Sequence, residues 1–341
     1  MLLLDSLYIN NSGGKVLLDY LVYKLEEAKV EVYYLFDERC KKDFGEIPSN
    51  RKNFLKATLW NRYRFYKLKK ASFHTVLCFG NLAPPFKLNA RVFTYFHQRL
   101  FLNIPDTIDF KTRLLIKIKI SIFTLFSQNS NEWMVQSNAM KEKLALKIGI
   151  DHEKVHVLPF YPPLSGEKQN CTKVPNSFIY ISNGSFHKNH KRLLEAFCLF
   201  YDKKKEGSLT LTIGNEFQEL YSIVQSKIDL GYPIRNIGRV DREVLNEYYN
   251  SHEYLIFPSL SESFGLGLVE AMECGCKVIG SDLPYTYAVC EPSIVFNPYN
   301  IYSMVAALEN AVQGNVKPTK QVLFNEIDSI IKLLQHNENK K

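Results

Sequence analysis

Short runs of consecutive apolar residues alternate along the chain with segments whose apolar positions recur every three or four residues, a pattern that predicts parallel β-sheets with helical crossovers. The runs predict strands at 2–7, 30–35, 75–78, 92–96, 133–136 and 155–158, and then at 178–182, 209–213, 254–257, 277–280 and 294–296. Helical periodicity predicts helices at 15–27, 191–202, 242–250, 265–274 and 301–312. A polar, proline-containing stretch at 162–176 follows neither period and reads as a linker. It separates an α/β unit at 1–165 from a second at 166–320, with a C-terminal helix and tail at 321–341. The fold class is α/β, with two doubly wound Rossmann-like domains. In open parallel sheets ligands bind at the carboxyl ends of the strands, so a cleft between the two units is the expected active site.

Composition agrees with two cores: 341 residues exceed what one hydrophobic core usually organises, and 46% hydrophobic with 23% charged residues is globular. Seven cysteines, an odd number with no Cys-x-x-Cys pair, predict reduced thiols in a cytoplasmic protein. The apolar start is too short for a signal segment and contains Asp5. No stretch of about 18 residues is free of charge, so none is expected to span a bilayer. Net charge is +8, and it is uneven: residues 1–165 carry 25 Lys+Arg against 15 Asp+Glu, and the remainder 18 against 20. The first half therefore suits an anionic partner.

The segment richest in chemistry is 254–282, YLIFPSLSESFGLGLVEAMECGCKVIGSD. A strand ends at Pro258 and Ser259, a loop carries Glu262, and a helix opens near Gly265. Gly265 and Gly267 leave the first turn of that helix without side chains, so its free amides and positive dipole end suit a phosphate or sugar oxygen. Glu262 and Glu270 could flank one ligand, and carboxylates accept well from vicinal hydroxyls such as those of ribose and a hexose. Taken alone, the same spacing also fits close helix packing and two solvated glutamates. A second strand–loop–helix, 178–197, brings Lys188 to a strand's carboxyl end, where a diphosphate needs a cation. In the first half, Gly13 and Gly14 join the first strand to a helix and make a plausible anion or acceptor loop, and His97 follows the strand at 92–96.

The block Glu262-Ser-Phe-Gly-Leu-Gly-Leu-Val-Glu270-Ala-Met, with Phe257-Pro-Ser before it and Gly275-Cys-Lys-Val-Ile-Gly-Ser281 after, resembles the signature of retaining family-4 glycosyltransferases of the GT-B fold. The resemblance implies that Glu270 binds the donor ribose and Glu262 contacts sugar hydroxyls. It implies too that the amides of Phe264, Gly265 and Leu266 hold sugar and diphosphate. Lys188, five residues before Leu193, matches the family's second motif, although Asn183 stands where many members have arginine. Ala288 stands where the family often has glutamate. Gly238-Arg-Val240 resembles the loop whose backbone meets the base, and Gly13, Gly14 and His97 match N-domain positions beside donor and acceptor.

The resemblance implies transfer of a hexose-type sugar from a UDP- or GDP-sugar to a saccharide or lipid-linked acceptor, in envelope, capsular or lipopolysaccharide synthesis. Lys188, Glu262 and His97 would serve catalysis. No Asp-x-Asp occurs in the sequence, so neither a metal nor another cofactor is expected. Other readings are a different GT-B reaction, such as sugar-nucleotide epimerisation, and an inactive sugar-nucleotide-binding or surface scaffold. Segment 51–70 holds eight Lys+Arg, no acid, and Phe54, Trp60, Tyr63, Phe65 and Tyr66. It suits anionic lipid, a solvated face or nucleic acid, though no nucleic-acid-binding motif accompanies it. Segment 111–126 is apolar enough for an interface or for a buried helix with exposed lysines. The protein is expected in the cytoplasm, peripheral to the membrane.

Overall fold

The computed structural model describes residues 1–104, 109–164 and 172–336. The boundary expected at 165/166, and Cys171, lie outside them. The chain forms two compact units, Met1–Pro162 with Phe324–Lys341, and Pro163–Leu323.

The first unit contains a seven-stranded parallel sheet built from β1 (Leu2–Asp5), β2 (Val32–Asp37), β3 (Lys52–Leu55), β4 (Thr75–Cys78), β5 (Arg91–Phe96), β6 (Glu132–Val135) and β7 (Val155–Val157). The order is β3-β2-β1-β4-β5-β6-β7. Its helices are α1 (Ser12–Glu27), α2 (Leu59–Lys69), α3 (Phe110–Ser127) and α4 (Asn138–Ile148). Val92 and Phe96 of β5 share one face of the sheet by the two-residue period of a strand. Val92 packs with Leu3, Val76, Phe65 and Tyr66, and Phe96 packs with Phe123, Trp133 and Met140. Helices α2, α3 and α4 therefore cover the same face. The chain returns to this unit at its end, where the Glu326 amide donates to the Pro159 carbonyl (2.7 Å) and Asn325 to the Tyr161 carbonyl (2.7 Å). Helix α11 (Ile327–Gln335) then packs against α1 through a buried stripe of Ile327, Ile330, Ile331 and Leu334.

The second unit contains a six-stranded parallel sheet of β8 (Val174–Tyr180), β9 (Ser208–Leu211), β10 (Ile234–Asn236), β11 (His252–Phe257), β12 (Lys277–Ser281) and β14 (Ile294–Phe296). The order is β10-β9-β8-β11-β12-β14. A small antiparallel pair, β13 (Cys290–Glu291) and β15 (Lys320–Gln321), lies apart from it. Helices are α5 (His190–Lys204), α6 (Gln218–Asp229), α7 (Leu245–Ser251), α8 (Leu266–Glu273), α9 (Pro284–Val289) and α10 (Ile301–Val312). The four apolar residues Tyr254 to Phe257 are all buried because β11 is central and covered on both faces.

The sequence missed β3 and β10. Both are edge strands with polar or half-buried residues, KNFL and IRN, so neither alternation nor an apolar run marks them. Strand β8 starts at Val174, inside the stretch read as linker.

Candidate functional site

In the second unit the loops after β8, β10 and β11 all leave from the carboxyl edge of the sheet. The first passes through a 3₁₀ turn, Phe186–Lys188, before α5. Asn189 ends that turn with φ +62, and its buried amide donates to the carbonyls of Pro258 (3.1 Å) and Pro298 (2.8 Å). The Leu260 amide donates to the His187 carbonyl (2.8 Å), and the Tyr180 hydroxyl donates to the Lys188 carbonyl (3.1 Å). These bonds lock the two loops together, and Lys188 Nζ meets Glu262 Oε1 at 2.7 Å with both side chains largely buried. Sequence reasoning singled out both residues, and the fold brings them into contact across 74 positions. The Lys188 ammonium also lowers the pKa of its neighbours, His187 and His190, although burial is the larger cause for each; His190 is pushed down to about 3.

Glu270 sits inside α8 and is 4% exposed. Burial raises its pKa, and Arg242 opposes that rise through an ion pair with Glu270 Oε1. Sequence reasoning missed Arg242 as a site residue and read it as the start of a helix at 242–250. It lies instead in a separate 3₁₀ turn, Arg242–Val244, ahead of α7. The available signal was its position two residues beyond the Gly238–Val240 loop. Within that loop Gly238 has φ +69 and open space where a Cβ would stand, while Val240 is half-buried. The two glutamates therefore do not stand as free acceptors: each is held by a cation, Glu262 by Lys188 and Glu270 by Arg242.

The start of α8 also differs from expectation. Helix α8 begins at Leu266, with Gly265 before it in the left-handed region at φ +83, and no side chain caps it among the described residues. Glycine is the residue that adopts this conformation without steric cost. Gly267, however, faces inward: a Cβ there would stand 3.3 Å from the Phe257 ring and 3.4 Å from the Tyr249 hydroxyl. A side chain there would crowd α8 against β11 and α7. Phe264 is buried and Leu266 half-buried. Gly184 is a further glycine the sequence reading passed over; a Cβ there would overlap the Phe217 ring at 2.5 Å.

In the first unit, α1 starts at Ser12 instead of 15, so Gly13 and Gly14 form part of its first turn. A Cβ on Gly13 would meet nothing within 4 Å, and one on Gly14 would lie 3.8 Å from His97 Nε2. The structure thus joins Gly14 to His97. Asn81, held at φ +65, accepts from the His97 amide through Oδ1 (2.6 Å), so its Nδ2 faces His97 Nε2 (3.2 Å) as a donor. Nε2 is then the acceptor and the proton resides on Nδ1. Nδ1 is buried with no hydrogen-bond partner among the described residues, and burial pushes the imidazole down to about 4, leaving it neutral at physiological pH.

The expected basic face at 51–70 is reduced. Arg62 is 2% exposed and donates to Asp5, Ala83 and Leu82; Arg51 pairs with Glu26; and Lys52 donates to the Phe44 carbonyl. Phe65 and Tyr66 belong to the core.

Residues 166–323 match the family described as glycosyl transferases group 1. The chain carries a glycosyl transferases group 1 domain. The chain is 29% identical over 141 residues to O-antigen chain mannosyltransferase B of Escherichia coli, covering 40% of this chain and 37% of that protein. It is also 29% identical over 126 residues to the capsular polysaccharide biosynthesis glycosyltransferase CapH of Staphylococcus aureus, covering 35% and 34%. The chain thus spans little more than a third of these two curated relatives. Among solved structures it resembles sucrose-phosphate synthase from Thermosynechococcus elongatus, with TM-score 0.69, 18% identity, and coverage of 92% and 90%. That likeness bears out the fold class expected from sequence, two Rossmann-like α/β domains of the GT-B type.

Proposed function

We propose that the protein is a retaining, metal-independent glycosyltransferase that moves a hexose-type sugar from a UDP- or GDP-sugar to a saccharide or lipid-linked acceptor of cell-surface polysaccharide. The single observation that carries this reading is the Lys188–Glu262 pair at the carboxyl edge of the second sheet, Glu262 lying in the loop that leads to the start of α8, which no side chain caps among the described residues. A diphosphate leaving group needs positive charge aimed where negative charge develops, and an ammonium plus helix-terminal amides supplies it. In this reading the donor diphosphate takes over Lys188, which releases Glu262 to accept from sugar hydroxyls. Glu270, its charge held by Arg242, accepts from the ribose, and the amides of Phe264, Gly265 and Leu266 face the phosphates. Gly238 and Val240 offer backbone to the base.

The bond from the sugar's anomeric carbon to the β-phosphate oxygen breaks, and a new bond to an acceptor hydroxyl forms on the same face. The acceptor's proton passes to the departing diphosphate oxygen. No protein nucleophile takes part. His97, neutral and accepting from Asn81 through the Nε2 that faces Gly14, is suited to hold Asn81 and the start of α1 beside a sugar, and unsuited to act as a general acid. The names of the O-antigen and capsular relatives support a polysaccharide acceptor.

A thermal-shift panel of UDP, GDP, ADP and TDP sugars tests the donor. One nucleotide class is expected to raise the melting temperature, and a flat response to all four opposes the reading. Lys188→Ala is expected to lower kcat by about 10² to 10³; near-normal turnover removes Lys188 from its assigned role. One observation favours an inactive binding scaffold: Asn183, where a second cation is expected, turns its Oδ1 to its own loop and accepts from the Ser185 amide (3.1 Å). Nucleotide binding without transfer or hydrolysis would support that second reading.

A further inference from the structure

Helix α3 has two apolar faces. Ile116, Phe123 and Ser127 are buried and form one stripe, with Phe123 packed against Phe96 and Trp133 of the sheet. At 100° per residue, Phe110, Leu114, Ile118 and Leu125 fall on the opposite side. They are 78%, 50%, 51% and 69% exposed. Leu115, 59% exposed, widens this outward stripe, and the exposed Lys117 and Lys119 then border it on its two sides; α3 contains no acidic residue. Helix α2, over the same face of the sheet, turns Trp60 outward at 65% exposure, stacked on Tyr63 at 5.8 Å, with Arg64 and Lys67 exposed nearby in sequence. Between Glu46 and Asp106 the sequence has eleven Lys+Arg and no Asp or Glu.

We propose that the outer faces of α3 and α2 form a docking surface for an anionic lipid bilayer, with α3 lying in the plane of the interface. An apolar stripe bordered by lysines is the pattern of an interfacial helix: the apolar side chains enter the acyl boundary while the cations meet headgroup phosphates. Helix α3 lies on the membrane and does not cross it, because no helix among the described residues is long and apolar enough to span. Nucleic acid would leave the outward leucines unsatisfied. A second copy packed face to face would set Lys117 and Lys119 against like charges. The surface belongs to α3 more than to segment 51–70, whose Arg62, Phe65 and Tyr66 are turned inward.

Docking would hold whether or not the second unit binds a nucleotide sugar, so nucleotide thermal shift reports on that reading separately. The test is flotation of the full chain with phosphatidylglycerol–phosphatidylcholine vesicles and with phosphatidylcholine alone. The chain is expected to float with the anionic vesicles, less so at high salt. Combined Leu114→Ser, Ile118→Ser and Leu125→Ser substitutions should reduce binding at least about tenfold. Combined Lys117→Gln and Lys119→Gln substitutions should reduce it several-fold and weaken its salt dependence. Trp60 is the exposed one of the two tryptophans, Trp133 being 1% exposed, so brominated lipid should quench Trp60 emission. If the serine variant loses its fold, the lysine variant and the quenching carry the test. Failure to float with anionic vesicles, binding unchanged in both variants, or binding that leaves Trp60 unquenched overturns the proposal. So does a wild-type dimer that the lysine substitutions strengthen.

Discussion

Arg62 is the residue whose surroundings differ most from its sequence context. It lies in a run of cations, yet its guanidinium is buried against Asp5 (2.8 Å), the carbonyls of Ala83 and Leu82 (2.7 Å each) and the ring of Tyr66, whose hydroxyl also donates to Asp5 (2.7 Å). Removing one member of a buried pair strands the other's charge, so Arg62→Ala is expected to cost about 3–5 kcal/mol in urea unfolding. A cost under 1 kcal/mol would mean that Asp5 finds water or another partner. Arg242 has the opposite relation to its own partner, because in the proposed function Glu270 serves as an acceptor only while ionised. Burial raises the Glu270 pKa and Arg242 opposes it. In Arg242→Ala the carboxyl should therefore protonate at higher pH, and nucleotide affinity should fall on acidification earlier than in the wild type. Titration calorimetry across pH 5 to 8 checks the direction; superimposable profiles would show that Arg242 does not keep Glu270 ionised. Lys188, Glu262 and Glu270 were legible because strand, loop and helix follow one another locally around each. Arg242 was not, since its partner is 28 positions away and only the fold brings them together.

At the scale of elements, the glycines of α1 and α8 look alike in sequence and differ in structure. Gly265 needs its left-handed backbone, and a Cβ would stand 3.0 Å from Leu268 Cδ1. Gly265→Ala should lower stability by more than about 1 kcal/mol. Gly13 lies in a helical turn with open space around it, so Gly13→Ala should leave stability equal or up to about 1 kcal/mol higher. If Gly13 serves ligand approach, its substitution will lower turnover while melting holds; a loss of melting temperature instead would assign it a packing role. Most central elements followed from pattern because buried parallel strands leave continuous apolar runs. Edge strands β3 and β10 left none, and the outward stripe of α3 looked the same in sequence as a core stripe. Periodicity reports which positions are apolar, not which of two apolar faces meets the sheet.

Over the whole molecule, two buried histidines couple folding to protons most strongly. His97 is held down to about 4 and His190 to about 3, both chiefly by burial, against an ordinary value of 6.5. Each takes up a proton more readily unfolded than folded. Their contribution is complete above about pH 6.5 and is lost as pH falls toward 4, with roughly 3 kcal/mol from His97. Melting temperatures should drop over that range and drop less in His97→Gln; parallel curves would mean that the imidazole stays solvated. The charge excess of the first half follows from composition, but its distribution does not: several cations of 51–70 are consumed inside the unit, and the outward apolar surface comes from α3. By itself the sequence determined the doubly wound α/β class, the loops that hold Lys188 and Glu262 and the helix that holds Glu270, because local apolar period and glycine chemistry specify strands, turns and helix starts. The tertiary structure alone decided which charges pair, which glycines pack, that the C-terminal helix returns to the first unit, and which face of α3 meets solvent. Those outcomes depend on contacts between residues distant in sequence, whose energies no local pattern encodes.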